Sequence, residues 1–125
     1  MAGLVLDAGA LIGLDRNDRR VIAMLARVSE RGEEVTIPAS ALAQAIRQPE
    51  RQVRLARLVR QPSATVVPLN RADATSIGRI LAASGTSDIV DAHVVVCARR
   101  TGQPVVTADA DDLLGLDPRL RVVPL

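Results

Sequence analysis

Five short runs of β-branched and aliphatic residues recur along this chain, with a helical pattern in each interval. They are "GLVLD" ending at Asp7, "EVTIP" from Glu34, "TVVPL" from Thr65, "PVVTAD" from Pro104 and "RVVPL" from Arg121. A run of four or five such residues suits a buried strand and is too short for an independent helix. Strands separated by helices cannot pair as hairpins. They pair in parallel through crossovers, so the expected fold class is α/β, an open sandwich around a mainly parallel five-stranded sheet. At 125 residues the chain is expected to fold as a single domain over 1–125, since that length buries roughly two-thirds of its unfolded surface.

The intervals carry helix signals. Val21, Leu25 and Val28 recur on one face behind a cap at Asp18, and Gly32 supplies a stop. Ser40 is expected to cap the next short helix, and Pro49 to sit in the first turn of another. In that one Leu55, Leu58 and Val59 share a face opposite Arg54, Arg57 and Arg60. "NRADATSIGRILAAS" opens on an Asn cap with an apolar stripe at Ile77, Ile80 and Leu81. "TSDIVDAHVVVCARRTG" runs from a cap at Ser87 or Asp88 to Gly102; its triple valine is strand-like, but the caps and length favour a buried central helix.

Composition removes several functions. All sixteen basic residues are arginine, so there is no P-loop lysine, no Schiff-base lysine and no receiver-type lysine. Phe, Tyr and Trp are absent, so splayed bases cannot stack on rings, and any RNA contact must rely on arginine, backbone and shape. A net charge of +2 gives weak global steering and leaves local arginine patches to matter more. The single cysteine, Cys97, excludes an intramolecular disulfide. No charged-then-apolar leader and no run of membrane-span length is present, so a soluble cytoplasmic protein with no membrane partner is expected.

The carboxylates are the chemistry. In parallel α/β sheets ligands bind beyond the carboxyl ends of the strands, where Asp7 and Asp109 both fall. Asp88 and Asp91 lie three apart at the start of the buried helix and share a face. Asp109, Asp111 and Asp112 open the segment after "PVVT". Like charges gathered from three segments would have raised pKa values unless a hard cation compensated them, and oxygen donors suit Mg²⁺ or Mn²⁺. With one His and one Cys, zinc is disfavoured.

"LVLDAGALIGLD", "IPASALAQAIR", "SDIVDAHVVVCAR" and "VVTADADDL" resemble, in that order, the motif blocks of PIN-domain ribonucleases, with the nearest likeness to VapC-type toxins. The resemblance spans essentially the whole chain. It implies a PIN-like three-layer α/β/α sandwich and a Mg²⁺- or Mn²⁺-dependent endoribonuclease. It also implies a homodimer silenced by a small antitoxin whose tail occupies the acidic pocket. On that resemblance Asp7 is the first metal-binding and catalytic aspartate, Asp91 the third acidic position and Asp109 the fourth, with Asp112 close behind. Thr107 is the orienting hydroxyl beside them. The second acidic position, generally Glu, is Gln44, which brings an amide and no charge. Asp88 is the candidate to restore that carboxylate. The alternative is a PIN-fold module that holds RNA or a protein without cleaving.

Plainer roles stand beside these. Asp88 reads equally as an N-cap, and Asp111 as a solvated charge, with Asp112 the better second ligand one turn from Asp109. His93, two positions from Asp91, points away from it and is read as structural or interfacial. Cys97 is read as a small core residue. Arg54, Arg57 and Arg60 are either the wet face of an amphipathic helix or a contact for RNA or antitoxin.

Overall fold

The structure, a computed structural model, describes residues 2–125. Its strands are β1 (Gly3–Leu6), β2 (Glu34–Pro38), β3 (Ala64–Val67), β4 (Val105–Thr107) and β5 (Val122–Pro124). They form one sheet in the order β3-β2-β1-β4-β5, and every pairing is parallel. Four strands fall within the runs read from the sequence, and β3 begins one residue ahead of its run, at Ala64. The helices are α1 (Ala8–Asp15), α2 (Arg19–Glu30), α3 (Ala39–Ala45), α4 (Val53–Val59), α5 (Arg71–Ser84), α6 (Ile89–Thr101) and α7 (Ala110–Leu116).

The chain starts in the central strand, winds outward through β2 and β3, then crosses back to β4 and β5 on the other side of β1. Right-handed crossovers therefore place the helices of the two halves on opposite faces. The contacts agree: α1 packs on α2 and α4, α6 packs on α5 and α7, and α3 touches both α1 and α6. The direction reverses between β1 and β4, and a reversal of that kind opens a crevice at the carboxyl ends of the two strands.

The core is aliphatic throughout. Val5, Leu6, Ile37, Val105 and Val106 from the sheet meet Leu11 of α1 and Val94 and Val95 of α6, all fully buried. Each such side chain contributes roughly 1.5–3 kcal/mol by leaving water. α6 is helical despite its triple valine, and Ala92 through Ala98 are all buried. Its ends carry the expected signals: Asp88 Oδ1 accepts from Asp91 N at 2.9 Å, and Gly102 closes it at φ 69°. Asp18 and Asn70 likewise cap α2 and α5. Gly3 adopts φ +145°, and a Cβ there would stand 2.0 Å from the Glu34 carbonyl oxygen, so only glycine lets β1 lie this close to β2.

Two expectations are corrected. Ser40 does not cap α3: the cap position is Pro38, without a side-chain hydrogen bond, and Ser40 lies inside the helix. Its hydroxyl is instead engaged with His93 Nδ1 at 2.7 Å. Pro49 opens a separate 3₁₀ turn, Pro49–Arg51, and α4 begins only at Val53. Buried Gln52 explains the break, because its Oε1 accepts from Arg47 N and Gln48 N while its Nε2 donates to the Ala45 carbonyl. Among the described residues no single helix is long and apolar enough to cross a membrane.

Candidate active site

Asp7 follows the last residue of β1 and Asp109 lies two residues beyond β4, so the two neighbouring strands deliver both to the crevice at the reversal. Asp7 is 3% exposed and caps α1, its Oδ1 accepting from Ala10 N at 2.8 Å. Burial pushes its pKa up, and the Asp109 charge adds to that; the hydroxyl of Thr107 and the α1 amides pull it down. Thr107 is fully buried, and its Oγ1 also accepts from Asp109 N at 2.8 Å. One hydroxyl thus ties the backbone of Asp109 to the carboxylate of Asp7.

Asp109 occupies the N-cap position of α7 but makes no cap hydrogen bond with its side chain. The cap reading therefore leaves that carboxylate unaccounted for. Asp112, in the first turn of α7, is exposed and turned to the same crevice: its charge is felt at Asp91.

Asp91 registers the whole cluster. Its pKa is pushed up from 3.8 to about 7, first by burial and then by Asp88, Asp112, Asp7 and Asp109. Five carboxylates from three separate segments thus share one electrostatic neighbourhood. Asp111 is exposed. Asp88 is the cap of α6, and its charge is the strongest of those acting on Asp91.

No three His, Cys, Asp or Glu side chains among the described residues are already drawn tightly enough together to enclose an ion. The carboxylates form a rim of like charge, and its exposed members, Asp88, Asp109 and Asp112, have the rotamer freedom to close on a cation. The donor set is all oxygen and suits a hard divalent ion, which would relieve the repulsion recorded at Asp91.

Gln44 is exposed on α3. Arg54, Arg57 and Arg60 are exposed along α4, away from the carboxylates; Arg54 and Arg57 line a groove of about 380 Å³ whose walls include Leu14, Ile22, Leu25 and Leu58. Cys97 is buried, and burial raises its thiol to about 11, in keeping with a core role.

One polar cluster escaped the sequence reading. Asp73 of α5 is 1% exposed and accepts from Arg100, while its Oδ2 faces His93 Nε2 at 3.8 Å. The His93 ring is held between that carboxylate and Ser40, and burial pushes its pKa down, so it is neutral at pH 7. The cluster pins α3, α5 and α6 together. A histidine amid six buried apolar residues of one helix was the available signal, since such a ring needs partners.

No curated protein matches significantly. Several solved structures share the fold, three of them as follows. FitAB bound to an IR36 DNA fragment is 15% identical, with a TM-score of 0.67 over 98% of this chain and 94% of that one. FitAcB from Neisseria gonorrhoeae is 18% identical, with a TM-score of 0.64 over 96% of each chain. VapBC2 from Rickettsia felis, bound to a DNA fragment from its promoter, is 10% identical, with a TM-score of 0.66 over 97% of each. The PIN domain family profile matches residues 4–115, from β1 through α7 and across every carboxylate described above, and the chain belongs to the PIN domain family.

Proposed function

We propose that this chain is a metal-dependent endoribonuclease, the toxin of a two-component toxin–antitoxin pair. The observation that carries the reading is Asp91, raised to about 7 by burial and four surrounding carboxylates. A fold does not maintain that repulsion cheaply unless a cation offsets it. Asp7, Asp91, Asp109 and Asp112 would hold a Mg²⁺ or Mn²⁺ ion, with Asp88 able to join. The chemistry such an ion supplies when bound is activation of a water and neutralisation of charge at the phosphodiester.

The chain's own residues do the rest. Thr107 fixes the Asp7 carboxylate and the backbone at the start of α7 against each other. The Asp91 carboxyl gives up its proton near neutrality, so cation binding releases a proton and tightens as pH rises through about 7.

The assay is incubation of purified protein with folded RNAs in Mn²⁺ or Mg²⁺, beside Asp7→Asn, Asp91→Asn and Asp109→Asn. Cleavage by the parent and its loss in each variant are expected; wild-type rates in all three would overturn the nuclease reading. Asn caps a helix about as well as Asp, so Asp7→Asn removes charge without unseating α1. FitAB and VapBC2 are two-component assemblies, which supports a small antitoxin as partner here. The Arg54–Arg57 groove, with its apolar floor and guanidinium rim, would take a further segment of that antitoxin beside the tail held at the acidic pocket. Homodimerisation fits Ile46 and Val53, large apolar residues left 45% and 52% exposed on and beside α3 and α4.

A second reading rests on Gln44. The residue is exposed on α3 and carries no charge, which is what a PIN-fold module that binds without cleaving would have. An inactive parent that Gln44→Glu alone switches on would establish that reading instead.

A further inference from the structure

We infer that the amino edge of the sheet, opposite the carboxylates, is a second hold on RNA that grips the phosphate backbone through arginines; the inference rests on the ribonuclease reading above. Two grooves meet there. One, of about 450 Å³, lies where the end of α2 approaches the start of β1 and is lined by Arg27, Arg31 and Arg121. The other, of about 510 Å³, lies past the end of α6 and is lined by Arg99, Arg119 and again Arg121. The shared Arg121 makes them one continuous surface.

Its charge is out of proportion to the chain. Five arginines stand there against two acids, Glu33 and Asp117, a net of +3 where the whole chain carries +2. The carboxylates lie at the other end of the strands, so the molecule is polarised across its sheet. Helix dipoles account for part of this, since Arg27 and Arg99 sit in the last turns of α2 and α6. Arg121 also donates to the Gly102 carbonyl that closes α6, whereas Arg119 belongs to no helix and makes no such terminal contact among the described residues. All five are exposed. Arg99 meets Asp117 through its inner nitrogen, Nε, and its side chain remains 52% exposed.

Guanidinium forks match phosphate oxygens, and a chain without aromatic residues cannot add base stacking. The contact is therefore with backbone and tolerant of sequence. A strand of four residues spans about 13 Å, and the loops at each end add to it. A short oligonucleotide can fill one edge only, whereas a folded RNA reaches both. The hold selects for size and shape.

The experiment measures binding by fluorescence anisotropy in EDTA, so that cleavage is not the readout. A folded transfer RNA and a hexanucleotide are titrated with the parent protein and with the combined Arg27→Ala, Arg31→Ala, Arg119→Ala variant. None of those three side chains makes an ion pair with an acid among the described residues, so the fold should persist, and a thermal melt checks it. The expected result for the transfer RNA is a loss of roughly 10-fold or more, with the slope of log affinity against log salt reduced by about 2. The hexanucleotide should lose less than about 2-fold. The matching triple Arg→Lys variant should keep most of the affinity. Unchanged binding of transfer RNA, or equal loss on both RNAs, overturns the inference. So does polyglutamate competing as strongly as RNA, which would mark the edge as a site for an acidic protein. Arginine-dependent binding by a protein that cleaves nothing would leave the hold standing and remove the ribonuclease reading; cleavage with unaltered binding would do the reverse.

Discussion

Asp91→Asn should stabilise the protein in EDTA at pH 8 and not at pH 4. The Asp91 pKa rises from 3.8 to about 7 on folding, so between those values the native state holds a proton that the unfolded chain has released. Stability then falls as pH climbs through that window and levels off above it. About three pH units at 1.36 kcal/mol each set a ceiling of roughly 4 kcal/mol. Asp91 is only half-buried, and solvent screening brings the figure to about 1–2 kcal/mol. Among the described residues the side chain makes no hydrogen bond that Asn would forfeit, and the Asp91 N–H keeps its bond to Asp88. For a domain this size a gain of that order raises Tm by roughly 4–8 °C. Thermal melts across pH 4–8 test it directly. A gain that does not vary with pH, or a variant less stable than the parent at pH 8, would refute the account of Asp91 as the point where the carboxylates' repulsion accumulates. Millimolar Mg²⁺ or Mn²⁺ should narrow the gap at pH 8 by stabilising the parent more.

Three further outcomes follow from particular contacts. Asp88→Asn should keep its cap on α6 yet reduce divalent-ion affinity by about 10-fold in calorimetry, with Gln44→Glu restoring part of the loss; wild-type affinity would reduce Asp88 to a cap. Asp73→Ala should cost about 3 kcal/mol in urea unfolding, because it strips the buried partner from Arg100 and His93; a cost below about 1 kcal/mol would mean the cluster does not pin the helices. Gly3→Ala should cost at least about 2 kcal/mol by the same measurement, since its Cβ would meet the Glu34 carbonyl at 2.0 Å, and a neutral result would show that β1 can shift at no cost.

The strands were legible because each is a β-branched run closed by a turn residue, and the caps at Asp18, Asn70, Asp88 and Gly102 because they act within a few residues of themselves. What failed was decided at long range. Ser40 has the chemistry of a cap, but His93, fifty-three residues on, competes for its hydroxyl and wins. Pro49 looked like a helix start, yet Gln52 folds back on the preceding loop and ends the turn early. Asp7 and Asp109 could be placed together from strand order alone, because a parallel sheet with one reversal leaves few alternatives. The Asp73 cluster and the arginine edge could not, since each depends on helices meeting at an angle that no local pattern encodes.

The pairing of β1 with β4 also has a consequence for how the protein is made. Val5 lies beside Val105, one hundred positions later, and that pairing brings Asp7 to Asp109. A chain emerging from the ribosome can build α1, α2 and the β1–β2 pair early, but it holds no assembled site until β4 has slotted in beside the first strand. Contacts of such separation form late and set the folding rate. On the proposed nuclease reading the chain is thus inert for most of its synthesis, and an antitoxin that captured it before completion would have to recognise the early half, where α2 and α4 frame their groove.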